Sequence, residues 1–178
     1  SCCYSLTSVV IGDSVTYIGF DAFFYCSSLT SITVGESNAQ YKDIDGNVYS
    51  KDGKTLIQYA IGKTATSFTI PNSVTTINSY AFRNSGLRNV KIPKNVNSIG
   101  DYAFSGCAKL EYLLIDGTAL TKIGKSVTSG CTSARRIFYK GSITDWNAIS
   151  INSTNTRPFD QVPYIYSASR PTQEGNYW

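Results

Sequence analysis

From Leu6 onward this chain restates one pattern. LTSVVIGDSVTYIGFDAFFYCSS runs from Leu6 to Ser28, and the next unit opens as LTSITVG at Leu29. The pattern returns as FTIPNSVTTINSYAFRNSG from Phe68, as LRNVKIPKNVNSIGDYAFSGCAK from Leu87 and as LEYLLIDGTALTKIGKSVTSGCTS from Leu110. Self-similarity at about 23 residues is the mark of a solenoid, in which each unit forms one coil and no coil buries its apolar side alone. The repeat therefore directs attention to a long face on a stack rather than to a pocket in a globule.

Within a unit the pattern reads L-x-x-[IV]-x-[IV], then [GP]-x-[SN]-V-T-x-I-G, then A-F-x-x-C. The first block alternates apolar and polar residues, as a half-buried strand does. Val9 and Ile11, Ile32 and Val34, Phe68 and Ile70, Val90 and Ile92, Leu113 and Ile115, and Ile137 and Tyr139 take the inward slots. Gly12, Gly35, Pro71 and Pro93 end those strands. Val15 and Ile18, Val74 and Ile77, and Val96 and Ile99 predict a second short strand on the opposite wall. The pairs Ala22-Phe23, Ala81-Phe82 and Ala103-Phe104 belong to the following turn, where the small residue permits close approach and the ring fills the corner. The expected fold is mostly β, a solenoid of about five coils with parallel strands stacked roughly 4.8 Å apart.

Two interruptions divide the chain. Residues 1–133 read as the repeats, but 38–63 break into QYKDIDGNVYSKDGKTLIQYAIGK, where Asp45-Gly46 and Asp52-Gly53 are turn dipeptides. A β-hairpin projecting from the second coil is expected there. Asp43-x-Asp45-Gly46-Asn47 suggests a calcium loop only superficially, because its Gly comes too early and the Glu at the twelfth position is missing. No metal site is expected. Residues 134–167 read as a last strand and a C-terminal cap, in which Trp146, Ile149, Ile151, Phe159 and Tyr164 would cover the end of the core. Residues 168–178 read as a linker or the start of a following segment. At the other end Cys3-Tyr4-Ser5-Leu6 aligns with Cys26-Ser27-Ser28-Leu29, so the chain reads as a piece of a longer protein.

Composition narrows the function classes. There is no histidine among the 178 residues, which removes Ser-His and Cys-His nucleophilic pairs and the usual general base near neutral pH. The Asp and Glu residues are scattered in turn-like contexts, and no phosphate-binding glycine loop is present. An enzyme is not expected, and no cofactor. The net charge of +4 is mild, with no basic run longer than Arg135-Arg136, so no nucleic acid partner is expected. No apolar run is long enough for direct membrane insertion.

The units resemble the BspA-like leucine-rich repeat family, whose repeat reads L-x-x-[IV]-x-[IV]-P-x-x-V-T-x-I-G-x-x-A-F-x-x-C. The resemblance covers Leu6 to Cys131, and YKGSITDWNAI from Tyr139 is similar to the end segment of such arrays. Departures are Ser85 in the Cys slot, a one-residue insertion near Ala119 and Val127-Thr128 in place of Ala-Phe. The resemblance implies a bacterial protein, extracellular or at the cell surface, that serves adhesion or protein–protein contact. The implied partner is a protein or extracellular-matrix ligand, with a glycan as the other class. A passive structural spacer is the alternative role.

The candidate surface is the outward side of the first strand. One column runs Ser8, Ser31, Ser67, Asn89, Tyr112, Arg136, and the next runs Val10, Thr33, Thr69, Lys91, Leu114, Phe138. Both change from small hydroxyls to large aromatic, aliphatic and cationic groups. Asn89, Lys91, Tyr112, Leu114, Arg136 and Phe138 are the candidate binding residues, since Tyr and Arg are favoured at hot spots and exposed apolar clusters have uses. The segment around Trp146 either leaves this patch open or folds over it. Tyr41, Tyr49 and Tyr59 form a secondary candidate, a sugar-stacking platform or plain cross-strand pairs. Cys3, Cys26, Cys107 and Cys131 share one slot, compatible with buried thiols or with Cys3–Cys26 and Cys107–Cys131 bridges. Cys2 lies outside the pattern and is the expected reactive thiol.

Overall fold

The computed structural model describes residues 3–20, 22–155, 158–159, 161 and 163–165. Cys2 and the 168–178 segment lie outside the described residues. In chain order the strands are β1 (Ser8–Ile11), β2 (Ser31–Val34), β3 (Tyr41–Ile44), β4 (Asn47–Ser50), β5 (Thr55–Gln58), β6 (Ser67–Thr69), β7 (Thr76–Ile77), β8 (Asn89–Ile92), β9 (Ser98–Ile99), β10 (Tyr112–Ile115), β11 (Lys122–Ile123) and β12 (Arg136–Tyr139). A short helix α1 (Ile143–Asn147), β13 (Ser150–Ile151) and β14 (Tyr164–Ile165) follow. Among the described residues no helix is long and apolar enough to cross a membrane.

The repeat dictates two walls. On the first, β1 pairs in parallel with β2, and β6, β8, β10, β12 and β14 form a separate parallel sheet. The second wall orders β13-β11-β9-β7-β5-β4-β3, with β7, β9 and β11 coming from the second block of the repeat. Three coils turn between the walls on a bond from the Val N–H to the Gly or Pro carbonyl three residues back: Val15 to Gly12, Val74 to Pro71 and Val96 to Pro93, at 3.0–3.2 Å. Turn chemistry at Gly and Pro thus ends the strand and aims the next apolar residue inward.

The Ala-Phe turns carry a third ladder. Phe82 N–H donates to the Ala103 carbonyl at 2.8 Å and Phe104 N–H to the Val127 carbonyl at 2.9 Å. The rings stack along the axis, Phe82 on Phe104 at 4.8 Å and 9°. Both are fully buried. Close approach at the end of the second strand requires glycine: a Cβ on Gly100 would lie 2.4 Å from the Ser79 backbone nitrogen.

The structure corrects three expectations. The 38–63 hairpin does not project. β3 and β4 are antiparallel, but β5 runs parallel to β7 in register Thr55↔Thr76 and Leu56↔Ile77, the slot a repeat strand would hold. β4 is buried on both faces and partitions the interior: Val48 packs into a small N-terminal core with Ile11, Leu29 and Ile32, and Tyr49 packs into the main core. Second, Val15 and Ile18 form no strand. The Tyr41 hydroxyl takes the place of a pairing neighbour, accepting from Ile18 N–H at 3.2 Å and donating to the Thr16 carbonyl at 3.5 Å. Phe23, in that same coil, is only half-buried. Third, among the described residues the first wall carries seven strands rather than about five coils, because β13 and β14 continue both walls beyond the recognisable repeats. Ser142 starts α1 with a capping box, its hydroxyl accepting from Asp145 N–H while the Asp145 carboxylate accepts from Ser142 N–H.

Candidate functional site

Parallel register turns residues one period apart into neighbours. Asn89, Tyr112 and Arg136 are directly paired, as are Lys91, Leu114 and Phe138. β14 extends the second column by pairing Tyr164 with Phe138. The six candidate residues therefore occupy adjacent rungs of one surface. Their exposure differs from that of the N-terminal half: Ser8, Val10, Ser67 and Thr69 are exposed, whereas Tyr112, Leu114 and Phe138 are half-buried.

That half-burial comes from the residues themselves. The Tyr112 and Phe138 rings meet edge to face at 5.3 Å, and Phe138 lies 5.6 Å from Tyr164. The Arg136 guanidinium sits 5.2 Å over the Tyr164 ring. Offset and edge-to-face ring contacts with a cation over one face are favourable arrangements that hold side chains still. An open depression of about 530 Å³ is lined by Glu111, Tyr112, Arg135, Arg136 and Phe138. Trp146 does not lie over these residues. It packs edge to face against the inward Tyr139 at 5.3 Å and stacks with Phe159 at 6.5 Å, closing the core. Tyr164, expected to cover the end of the core with Trp146, lies instead on the outward column beside Phe138; a two-residue strand leaves too little periodicity to place it.

The surrounding charges alternate along the axis. Arg88 bonds Glu111 one coil on, and the Asp116 carboxylate lies between the Lys91 ammonium at 3.2 Å and that of Lys140 at 3.5 Å. Partial burial works to raise the Asp116 pKa, but the hydrogen bond and charge of Lys91, joined by Lys140, hold it below the usual carboxylate range. Arg135 and Arg136 are exposed, and neither takes part in an ion pair among the described residues.

The hairpin tyrosines do not make a platform. Tyr49 and Tyr59 are each 1% exposed, and only Tyr41 remains half-exposed, its hydroxyl held by the first coil. Tyr59 fills the Phe slot of the coil that the insertion replaces, 5.3 Å from Phe82. Asp43 is likewise committed, its carboxylate accepting from Val34 N–H at 2.8 Å. Cys3, Cys107 and Cys131 are free thiols, and Cys26 is buried; Cys107 and Cys131 each donate to a carbonyl of the preceding coil, Phe82 and Phe104, at 3.0 Å.

A row on the turn edge escaped sequence reasoning. Tyr80 and Tyr102, each just before an Ala-Phe pair, stack at 5.1 Å and 12°. Arg83 lies 4.0 Å from the Phe24 ring and 5.2 Å from that of Tyr80, and Lys125 lies 5.4 Å from that of Tyr102. Tyr80 and Tyr102 have φ of 62° and 55°, left-handed values that swing the ring outward from the turn. The signal was the Tyr one residue before Ala81 and again before Ala103, which period-2 reasoning does not address.

Six copies of the BspA type leucine rich repeat region match residues 1–55 and 58–162. The chain belongs to that family. Its fold is similar to the crystal structure of the pneumococcal vaccine antigen PcpA, with 21% identity, a TM-score of 0.67, and coverage of 92% of this chain and 51% of that one. It is also similar to a leucine-rich repeat protein from Eubacterium ventriosum, with 24% identity, a TM-score of 0.60, and coverage of 91% and 50%. The chain thus spans about half the length of each. No curated protein matches it.

Proposed function

We propose that this chain is a non-enzymatic protein-binding module of a bacterial cell-surface or secreted protein, contacting a protein or extracellular-matrix ligand through the outward face of its first wall. One observation carries the reading: at the C-terminal end of this wall Tyr112, Phe138 and Tyr164 form a contiguous ring cluster with Arg136 against it. Rigid aromatic anchors flanked by Arg are the composition of binding hot spots. The likeness to a protein described as a vaccine antigen supports a location open to a host. The hydroxyl-faced N-terminal rungs Ser8, Ser31 and Ser67 favour a spacer role for that half alone.

The test is saturable binding of the purified chain to immobilised basement-membrane extract, compared with the double variant Tyr112→Ser and Phe138→Ser. Loss of one hot-spot side chain costs about 2 kcal/mol and neighbouring losses do not simply add, so the double variant should bind at least roughly 30-fold more weakly at an unchanged melting temperature. A large fall in melting temperature would reassign the cluster to packing, and unchanged binding would remove it as the contact surface.

A further inference from the structure

The net charge of +4 conceals a strong division along the solenoid. Residues 1–82 hold four Lys and Arg against six Asp and Glu, a net −2, whereas residues 83–140 hold ten against three, a net +7. No run of basic residues announces this, because the first-wall cations fall about two periods apart, Arg88 from Arg135 and Lys91 from Lys140, and are brought together only by stacking. On the first wall they lie beside the aromatic cluster: Arg88, Lys91, Arg135, Arg136 and Lys140.

Resting on the protein-binding reading, we infer that the partner of this face is an acidic protein segment whose carboxylates alternate with aromatic or aliphatic side chains. Two features of the wall select that chemistry. Arg135 and Arg136 line the depression beside Tyr112 and Phe138, so an anionic group and an apolar group find their partners within one site. Glu111 and Asp116 stand between cations on the intermediate rung, roughly 4.8 Å from the rungs on either side. A uniformly charged chain laid along the axis, such as a sulfated glycan, meets a carboxylate at that rung. A segment of discrete acidic residues separated by apolar ones does not. The positive end also raises the encounter rate with any anionic partner, so affinity should fall as salt rises.

The test measures binding of the whole chain to a random copolymer of glutamate and tyrosine, to polyglutamate and to heparin, at low and physiological salt. The copolymer should bind most tightly. Arg135→Glu with Arg136→Glu should weaken it about tenfold or more. Lys122→Glu with Lys125→Glu makes the same change of charge away from the first wall and should leave affinity within about twofold. Melting curves establish that each variant folds, with Arg→Gln at the same positions used where the reversal does not. Equal losses in the two variants would overturn the inference, leaving only bulk attraction, and tighter binding of heparin would overturn it in favour of a sulfated glycan. If no copolymer binds while the matrix binding lost in the Tyr112 and Phe138 variant persists in the wild type, the acidic partner is refuted and the protein-binding reading stands.

Discussion

Asn38→Ala should destabilise the N-terminal coils far more than a single exposed-loop substitution does. Asn38 is fully buried where the first coil, the second coil and the insertion meet. Its amide nitrogen donates to the Gly12 and Val15 carbonyls, both at 2.9 Å, and its amide oxygen accepts from Gln40 N–H at 2.9 Å and Tyr41 N–H at 2.8 Å. Alanine removes all four bonds. Gly12 and Gln40 are exposed and recover water, while Val15 and Tyr41 are half-buried and recover less. At about 1–3 kcal/mol for each buried group left unsatisfied, the net cost is about 3 kcal/mol. For a chain of this size that lowers the melting midpoint by roughly 6–12 °C. Because β4 separates two cores, the loss should be local: hydrogen exchange should accelerate at Val34 and Gly35 while Leu113 stays protected. Asn38→Asp sharpens the test. It keeps the acceptors but sets a carboxylate against two carbonyls, which raises its folded pKa above the unfolded value of about 3.9. A group so shifted leaves stability highest below the unfolded pKa and loses it as pH rises through the folded one. The deficit relative to wild type should therefore shrink on acidification from pH 7 toward about pH 4. An alanine variant melting within about 2 °C of wild type, or an aspartate variant with a pH-independent deficit, would refute the reasoning.

Gly100→Ala places a methyl group 2.4 Å from the Ser79 nitrogen, so stability in urea should fall by about 3 kcal/mol or more. Burial pushes the Tyr59 phenol up to about 12, and burial with Asp45 nearby pushes Tyr49 higher still. Stability they supply is therefore present below about pH 10 and lost as pH rises past it, so ultraviolet titration should show Tyr59 and Tyr49 ionising only with alkaline unfolding. Among the described residues the Tyr59 hydroxyl has no partner, so Tyr59→Phe should leave the neutral-pH midpoint unchanged or slightly raised. Alkylation of the native protein followed by mass spectrometry should modify exposed Cys3 quickly, Cys131 slowly because its hydrogen bond with Cys107 and its burial push the thiol up, and Cys26 and Cys107 only in denaturant.

The strand columns were legible because a period-2 alternation and a period of about 23 residues together leave one register that buries every inward slot. Ser67, Asn89, Tyr112 and Arg136 could be aligned by counting, and they pair as counted. The insertion was not legible by the same means. NVYS and TLIQY read locally as hairpin strands whether they stand free or sit in a wall. What decides is the neighbouring coil: Leu56 facing Ile77 and Tyr59 reaching Phe82. A dense apolar content at both parities of Val48 and Tyr49 was the available sign that both faces are buried.

The charge division was missed for a related reason. Sequence reasoning looks for basic stripes as runs, since along an extended chain or a helix near residues in sequence are near in space. In a stacked solenoid the relevant neighbour is one coil away. Arg88, Glu111 and Arg135 follow one another along a backbone ladder, Glu111 N–H donating to the Arg88 carbonyl and Arg135 N–H to the Glu111 carbonyl. Their side chains feel each other far more than they feel residues three positions along. Substitutions in such a protein should therefore couple at separations of 22–24 residues, and the outward surface is encoded transversely to the repeat. The inward slots specify one coil after another and vary little in kind. The outward slots on the same strands are free of that constraint, and it is there, from β8 to β14, that rings and cations gather.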